Sequence, residues 1–210
     1  MKVRFLTLAA ALAAPVAIAV PATTGIAAPA GDLAAVQAYL GSLDTMTARF
    51  IQTDRAGKVL TGTLSLKKPG KIRFQYEKGV PILIVGDGKA LFFIDYSVNQ
   101  VQRWPIGDSP LSVLLDSKKD IGTFARIVPG GDPRVISVEA SDPKHPQYGR
   151  ITLVFARNAA ASGGLMLQGW VALDSQNNRT TVRLSDQKTN VPVSDNTFRW
   201  NDPRRTTRGR

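Results

Sequence analysis

Residues 42–117 hold a succession of short apolar segments broken by tight turn signals. Residues 47–53 read as a strand that ends in Asp54-Arg55-Ala56-Gly57. Residues 59–66 run into Pro69-Gly70, residues 71–76 into Glu77-Lys78-Gly79, and residues 81–85 into Gly86-Asp87-Gly88, a strong hairpin signal. Residues 91–96 and 98–104 complete the meander. Leu60, Gly62, Leu64 and Leu66 share one face, and Ile72, Phe74 and Tyr76 alternate cleanly with Lys71, Arg73 and Gln75. The strand pattern returns at 134–140, 150–155, 165–173 and 180–184. Closely spaced strands with such turns predict a mainly β domain with a few helices, built on a single antiparallel sheet that is curved or partly closed.

Helical spacing appears in few places. Asp32 is placed to cap a short helix whose stripe is Leu33, Val36, Leu40 and Leu43. Ser109-Pro110 resembles a cap followed by proline in the first turn, opening a short apolar helix through Leu111, Val113, Leu114 and Leu115 to about Asp116. Residues 120–127 are expected to form a second short helix with Phe124 and Ile127 on one side.

The N-terminus has a different character. Lys2 and Arg4 precede an apolar run over 5–20, and small residues follow at signal-peptidase spacing. This pattern predicts a secretory signal peptide over 1–30, cleaved after Ala22 or Ala30. The expected organisation is then a folded domain over 31–203 and a basic tail over 204–210. Export of a chain of 210 residues with no cysteine points to the bacterial periplasm and to a domain stabilised by its core rather than by disulfides. The formal charge of +11 is inflated by the signal and the tail, which carries Arg204, Arg205, Arg208 and Arg210. The modest basic excess that remains serves solubility, with some attraction for anionic lipid or an acidic protein face. Export argues against nucleic acid as a partner.

The inventory for chemistry is thin. The one histidine, His145, sits in a proline-flanked loop, which is too little for a zinc site. No Gly-x-Ser-x-Gly elbow is present, and Asp54, Asp87, Asp108 and Asp132 occupy turns where capping explains them. Gly86-x-Gly88 lacks the following Lys-Ser/Thr of a phosphate loop. We therefore expect no enzyme activity, no cofactor and no metal. The apolar content, by contrast, exceeds what a one-sided sheet needs: Leu91-Phe92-Phe93-Ile94 and Ile82-Leu83-Ile84-Val85 are apolar on both faces. Such an excess fits an ordinary core capped by helices or a cavity that the protein does not fill itself, and periodicity does not separate the two.

Several motifs in register resemble the periplasmic outer-membrane lipoprotein carrier family, the LolA-like proteins. Ala48-Arg49-Phe50-Ile51-Gln52 resembles its opening strand, and 62–76, with Lys67-Lys68-Pro69, its Gly-x-Leu and Lys-Arg-Pro signature. Residues 87–95 and Asn99-Gln100-Val101 continue it, Ser109-Pro110-Leu111 with Leu114-Leu115 resembles its lid helix, and 198–203 its closing segment. The resemblance implies an incomplete β-barrel with a helical lid over a hydrophobic cavity. It implies acyl-chain contacts from Phe50, Leu64, Leu66, Ile72, Phe74, Leu91 and Phe93, and a lid of Leu111, Leu114 and Leu115. The family arginine falls on Lys68, which by analogy would latch the lid through carbonyls near Leu114 and Leu115, without the planar fork of a guanidinium. Implied partners are acylated lipoproteins, an inner-membrane releasing transporter of the LolCDE type and an outer-membrane receptor of the LolB type, with the carrier as a monomer. A carrier or sensor of another lipid on the same fold is the alternative reading, and a periplasmic hydrolase the weaker one.

Overall fold

The computed structural model of the chain describes residues 30–108, 111–116, 120–142 and 144–204. The expected signal segment, apart from Ala30, lies outside them, as do Ser109-Pro110 and the tail beyond Arg204.

Eleven strands form one antiparallel sheet. They are β1 (Thr45–Thr53), β2 (Val59–Lys67), β3 (Lys71–Tyr76), β4 (Ile82–Asp87), β5 (Ala90–Asp95), β6 (Gln100–Pro105), β7 (Ala125–Val128), β8 (Val135–Ser141), β9 (Arg150–Arg157), β10 (Leu165–Leu173) and β11 (Arg179–Thr189). The spatial order is β6-β5-β4-β3-β2-β1-β11-β10-β9-β8-β7. Two meanders are thus joined at the centre, where the first strand pairs with the last: Phe50 faces Leu184 and Gln52 faces Val182. The outermost strands, β6 and β7, do not pair with each other, so the sheet is not closed.

Alternation divides the residues between two faces. The inner face carries Met46, Ala48 and Phe50 of β1, Leu64 and Leu66 of β2, and Ile72, Phe74 and Tyr76 of β3, all buried. From the other meander come Val138, Leu153, Phe155, Leu167, Trp170, Val182 and Leu184. Helix α1 (Ala30–Ser42) lays Val36, Tyr39 and Leu40 into this core. Asp32 is not its cap but lies within the first turn, where it complements the positive helix end and meets Arg157 at 2.5 Å.

The sheet is strongly curled. Phe74 on β3 and Trp170 on β10 pack edge to face with ring centroids 6.0 Å apart. Four strand spacings separate these strands in the sheet order. A flat sheet would hold them about 19 Å apart at roughly 4.8 Å per strand. Gly62 assists the curl on β2. A Cβ there would lie 2.1 Å from the Gln75 carbonyl oxygen and 2.9 Å from the Phe50 ring.

The outer face of β4–β6 is covered from the C-terminus. Leu83, Val85 and Ile94 form a second cluster with Phe198, joined by Phe92, Val101, Val193 and Trp200. Asp195 accepts from Lys67 and Lys71 at 2.8 and 2.9 Å, and the Arg73 guanidinium donates to the Thr197 and Arg199 carbonyls. This cover accounts for the outward half of the apolar excess at 82–94.

Of the two short helices expected after β6, one needs correction. Residues 120–127 are not a helix: one 3-10 turn at Ile121–Thr123 leads into edge strand β7, whose Ile127 pairs with Val138. β-Branched Ile127 and Val128 suit that edge better than a helix. The short apolar helix at 111–116 is present as α2 (Ser112–Leu115), with all four residues buried.

Gly62→Ala should lower stability by about 2–3 kcal/mol, because the new methyl collides with backbone that cannot yield. Gly41→Ala, on the exposed side of α1 with nothing within 4 Å, should raise it by about 0.5–1 kcal/mol. Urea unfolding of both variants measures the contrast.

Candidate functional site

The inner face is apolar across its whole width, but its covering is uneven. At the β1–β3 centre the aromatic rings fill the space. Phe50 packs edge to face on Phe74 at 5.3 Å and on Tyr76 at 5.2 Å, and Phe74 continues to Trp170. Each such contact contributes about 0.5–1.5 kcal/mol beyond area burial. The Tyr76 hydroxyl donates to Gln52 Oε1 at 2.8 Å, and burial pushes its pKa up to about 12.

Towards β4–β6 the covering thins. Register places Ile84 beside Phe93, and Gly86 beside Leu91, which in turn faces Trp104. Ile82, Ile84, Leu91 and Phe93 are half-buried and Trp104 is 43% exposed. The expected contact residues therefore fall into two groups. Phe50, Leu64, Leu66, Ile72 and Phe74 lie in the packed centre, while Leu91 and Phe93 line the half-open margin. Ile82, Ile84 and Trp104 belong to the same margin and were not among the expected residues. Because Ile82-Leu83-Ile84-Val85 is apolar throughout, only its pairing with β3 and β5 shows that Ile82 and Ile84 face inward, and Trp104 likewise follows only from the β5–β6 register.

Helix α2 sits over this face. Leu114 and Leu115 are fully buried in the core, and Leu111 packs half-buried against it. The strand side holds α2 through backbone: the Gly70 N–H donates to the Leu115 carbonyl at 3.0 Å. Gly70 has φ 73°, and its Cα sits so close to the Gly88 backbone that a Cβ would approach to 2.7 Å. The Pro69-Gly70 turn and the Gly86-Asp87-Gly88 hairpin thus pack on each other directly beside α2.

Lys68 does not reach the carbonyls of Leu114 and Leu115 expected for it. Its ammonium donates to the Leu40 carbonyl at the C-terminal end of α1, and its N–H to Asp44 O at 2.8 Å. The cause is the helix end. The last carbonyls of α1 lack intrahelical donors and carry partial negative charge, and α1 has no basic residue in its last turn. Lys68 supplies that cation from the β2–β3 turn. Burial lowers its pKa to about 8 against the opposing pull of Asp44 and of Asp116, the residue that ends α2.

Polar chemistry does not converge on this face. Among the described residues no buried side-chain nitrogen or oxygen lacks a partner, and no group of three or more His, Asp or Glu side chains is arranged to hold a metal. His145 stacks on Tyr148 at 5.0 Å in an exposed turn. No helix among the described residues is long and apolar enough to cross a membrane.

The chain is similar to several known proteins. A family profile described as outer membrane lipoprotein carrier protein LolA matches residues 41–201. The outer-membrane lipoprotein carrier protein of Chromobacterium violaceum is 29% identical over 201 residues, covering 90% of this chain and 94% of the relative. That of Dechloromonas aromatica is 26% identical over 185 residues, covering 84% and 86%. A crystal structure of a LolA superfamily protein from Nitrosomonas europaea aligns with TM-score 0.47 and 10% identity, over 80% of this chain and 97% of that one.

The Lys68 environment has a measurable consequence. Its folded pKa lies below the ordinary lysine value near 10.4, so between about pH 8 and 10 the unfolded chain binds a proton that the folded chain has released. Stability contributed by this group should rise with pH through that window and be flat below it. In Lys68→Met the rise should disappear, read as the change in urea midpoint between about pH 7 and about pH 9.5 in the two proteins.

Proposed function

The chain belongs to the outer membrane lipoprotein carrier family, and from that membership we propose that it binds the acyl chains of lipoproteins on its inner face and carries them across the periplasm to the outer membrane. The observation that carries this reading is the half-open apolar margin of Ile82, Ile84, Leu91, Phe93 and Trp104 beside α2. It offers a starting contact for an acyl chain next to a core that its own side chains fill.

Loading is then an exchange. Val113, Leu114 and Leu115 leave the inner face as α2 swings out as a lid, and methylenes of the cargo take their place. Each methylene moved from water contributes about 0.8 kcal/mol. Exposing Val113, Leu114 and Leu115 costs about 1.5–3 kcal/mol for each side chain. That cost offsets part of the gain from the cargo, which lowers the net affinity and lets the cargo leave again. The backbone bond from the Gly70 N–H to the Leu115 carbonyl contributes about 1 kcal/mol to the closed state. Closed protein lowers the apparent affinity by its fraction. Cargo would come from an inner-membrane transporter of the LolCDE type and pass to an outer-membrane receptor of the LolB type.

The packed centre is a poor place to test this, because a carboxylate at buried Phe74 would be paid for in folding stability. Phe93 is the better probe. Phe93→Glu should retain the wild-type unfolding free energy in urea within about 1 kcal/mol and release about tenfold less lipoprotein from inner-membrane vesicles. Mass spectrometry of the purified wild type identifies what occupies the face. Full release by Phe93→Glu, or free phospholipid as the only bound species, would overturn the lipoprotein reading.

A further inference from the structure

The C-terminal segment covers the outer face of β4–β6 but leaves the other half of that face bare. On the bare half, register sets Ile51 of β1 opposite Arg183 of β11, and Arg183 opposite Gly169 of β10. Ile51 is 47% exposed, and Val59, at the start of β2 on the same face, is 57% exposed. Val154, Gly169 and Val171 line an adjoining trough of about 350 Å³.

That trough shares Arg179, Thr181 and Arg183 with a polar cleft of about 700 Å³. The cleft lies between the β1–β2 and β10–β11 turns, and Arg55 reaches across it to Asn178 Oδ1 at 2.9 Å. Three guanidinium groups therefore line one space. The nearby carboxylates are held chiefly by turn donors, and Asp174 also lies within electrostatic reach of Arg55, which leaves Arg179 and Arg183 as the less compensated pair. Asp54 accepts from the N–H groups of Ala56 and Lys58, and Asp174 accepts from those of Gln176 and Asn178 and from the Asn178 side chain. Among the described residues no ion pair involves Arg55, Arg179 or Arg183.

We propose that this bare outer face docks the protein on an anionic phospholipid surface, with lipid phosphodiesters in the Arg55–Arg179–Arg183 cleft and Ile51 and Val59 against the interfacial layer. Guanidinium groups match phosphate oxygens in paired hydrogen bonds. Exposed aliphatic side chains beside them favour a bilayer interface over a dissolved ion. This surface is on the opposite side of the sheet from the acyl-binding face, so the two activities fail independently.

The test is flotation of the purified full chain with vesicles of phosphatidylethanolamine and phosphatidylglycerol, and with vesicles of phosphatidylcholine alone. Binding should require phosphatidylglycerol and weaken strongly at about 0.5 M salt, where screening is short-ranged. The double variant Arg179→Glu/Arg183→Glu should bind at least about tenfold more weakly, since each basic residue near an anionic surface is worth roughly fivefold. Phe93→Glu should bind like wild type. Inorganic phosphate at constant ionic strength separates a lipid surface from a site for a small anion. The proposal is overturned if phosphate displaces the protein at low millimolar concentration, if neutral vesicles bind equally, if no vesicle binds, or if the double variant is unchanged.

Discussion

The pairing of β1 with both β2 and β11 is the contact on which the remaining structure depends. β1 comes first among the strands yet lies at the centre of the sheet, so each meander would otherwise end in an open edge. Its pairing with β2 is local and closes through a short turn. Its pairing with β11 brings together residues from opposite ends of the domain, Met46 with Thr189 and Thr53 with Thr181. That closure carries a large loop entropy and needs many weak contacts to offset it. Inner-face packing supplies them. Once β11 is seated, Trp170 is brought over Phe74, and the curl that shapes the inner face is complete.

Curl and filling oppose each other on this face. The tighter the sheet bends, the more its own rings meet across the interior, and the less room remains for anything else. At the β1–β3 centre filling prevails, with Phe50, Phe74, Tyr76 and Trp170 in mutual contact. At β4–β6 no strand partner returns from the other meander, because β6 is an edge. There the apolar surface stays half-open, and among the described residues α2 and Ile106 lie over it. A four-residue helix can be displaced at modest cost, whereas a ring in the centre cannot. The open edge thereby decides which part of the face is available to a ligand.

What the sequence made legible was mostly local. Ile72, Phe74 and Tyr76 alternate over a strand whose bounds are those expected, 71–76, and Gly86-Asp87-Gly88 turns the chain where its composition says it should. Leu64 and Leu66 could be placed on the same face as Phe74 because two strands joined by Pro69-Gly70 have little freedom of register. The misreadings were each decided by a partner outside the segment itself. Residues 120–127 carry apolar residues at a spacing that a helix or an edge strand can use, and only the presence of β8 decides for the strand. Lys68 was assigned to α2 by analogy, but the end of α1 offers carbonyls without donors, and nothing local in the sequence says which helix end lies nearer. The outward apolar residues of β4 and β5 were visible as an excess, while their cover, Phe198 and Trp200, waits a hundred residues further along the chain.

The two faces of the sheet handle apolar surface by different means, and this bears on how a carrier can work. On the outer face the C-terminal segment is fastened by ions as well as by rings: Asp195 takes both Lys67 and Lys71, and Arg73 takes two carbonyls. Exposed ion pairs of this kind are individually weak, but they act together with the burial of Phe198, which holds the segment in one register. On the inner face α2 buries Val113, Leu114 and Leu115 and accepts a backbone hydrogen bond from Gly70. Apolar contacts are indifferent to which apolar partner makes them. On the proposed reading the inner cover, whose apolar contacts a methylene chain can replace, is the one that the acyl chain displaces. The outer cover, fastened by specific charges as well as rings, keeps β4–β6 sheathed on the other side.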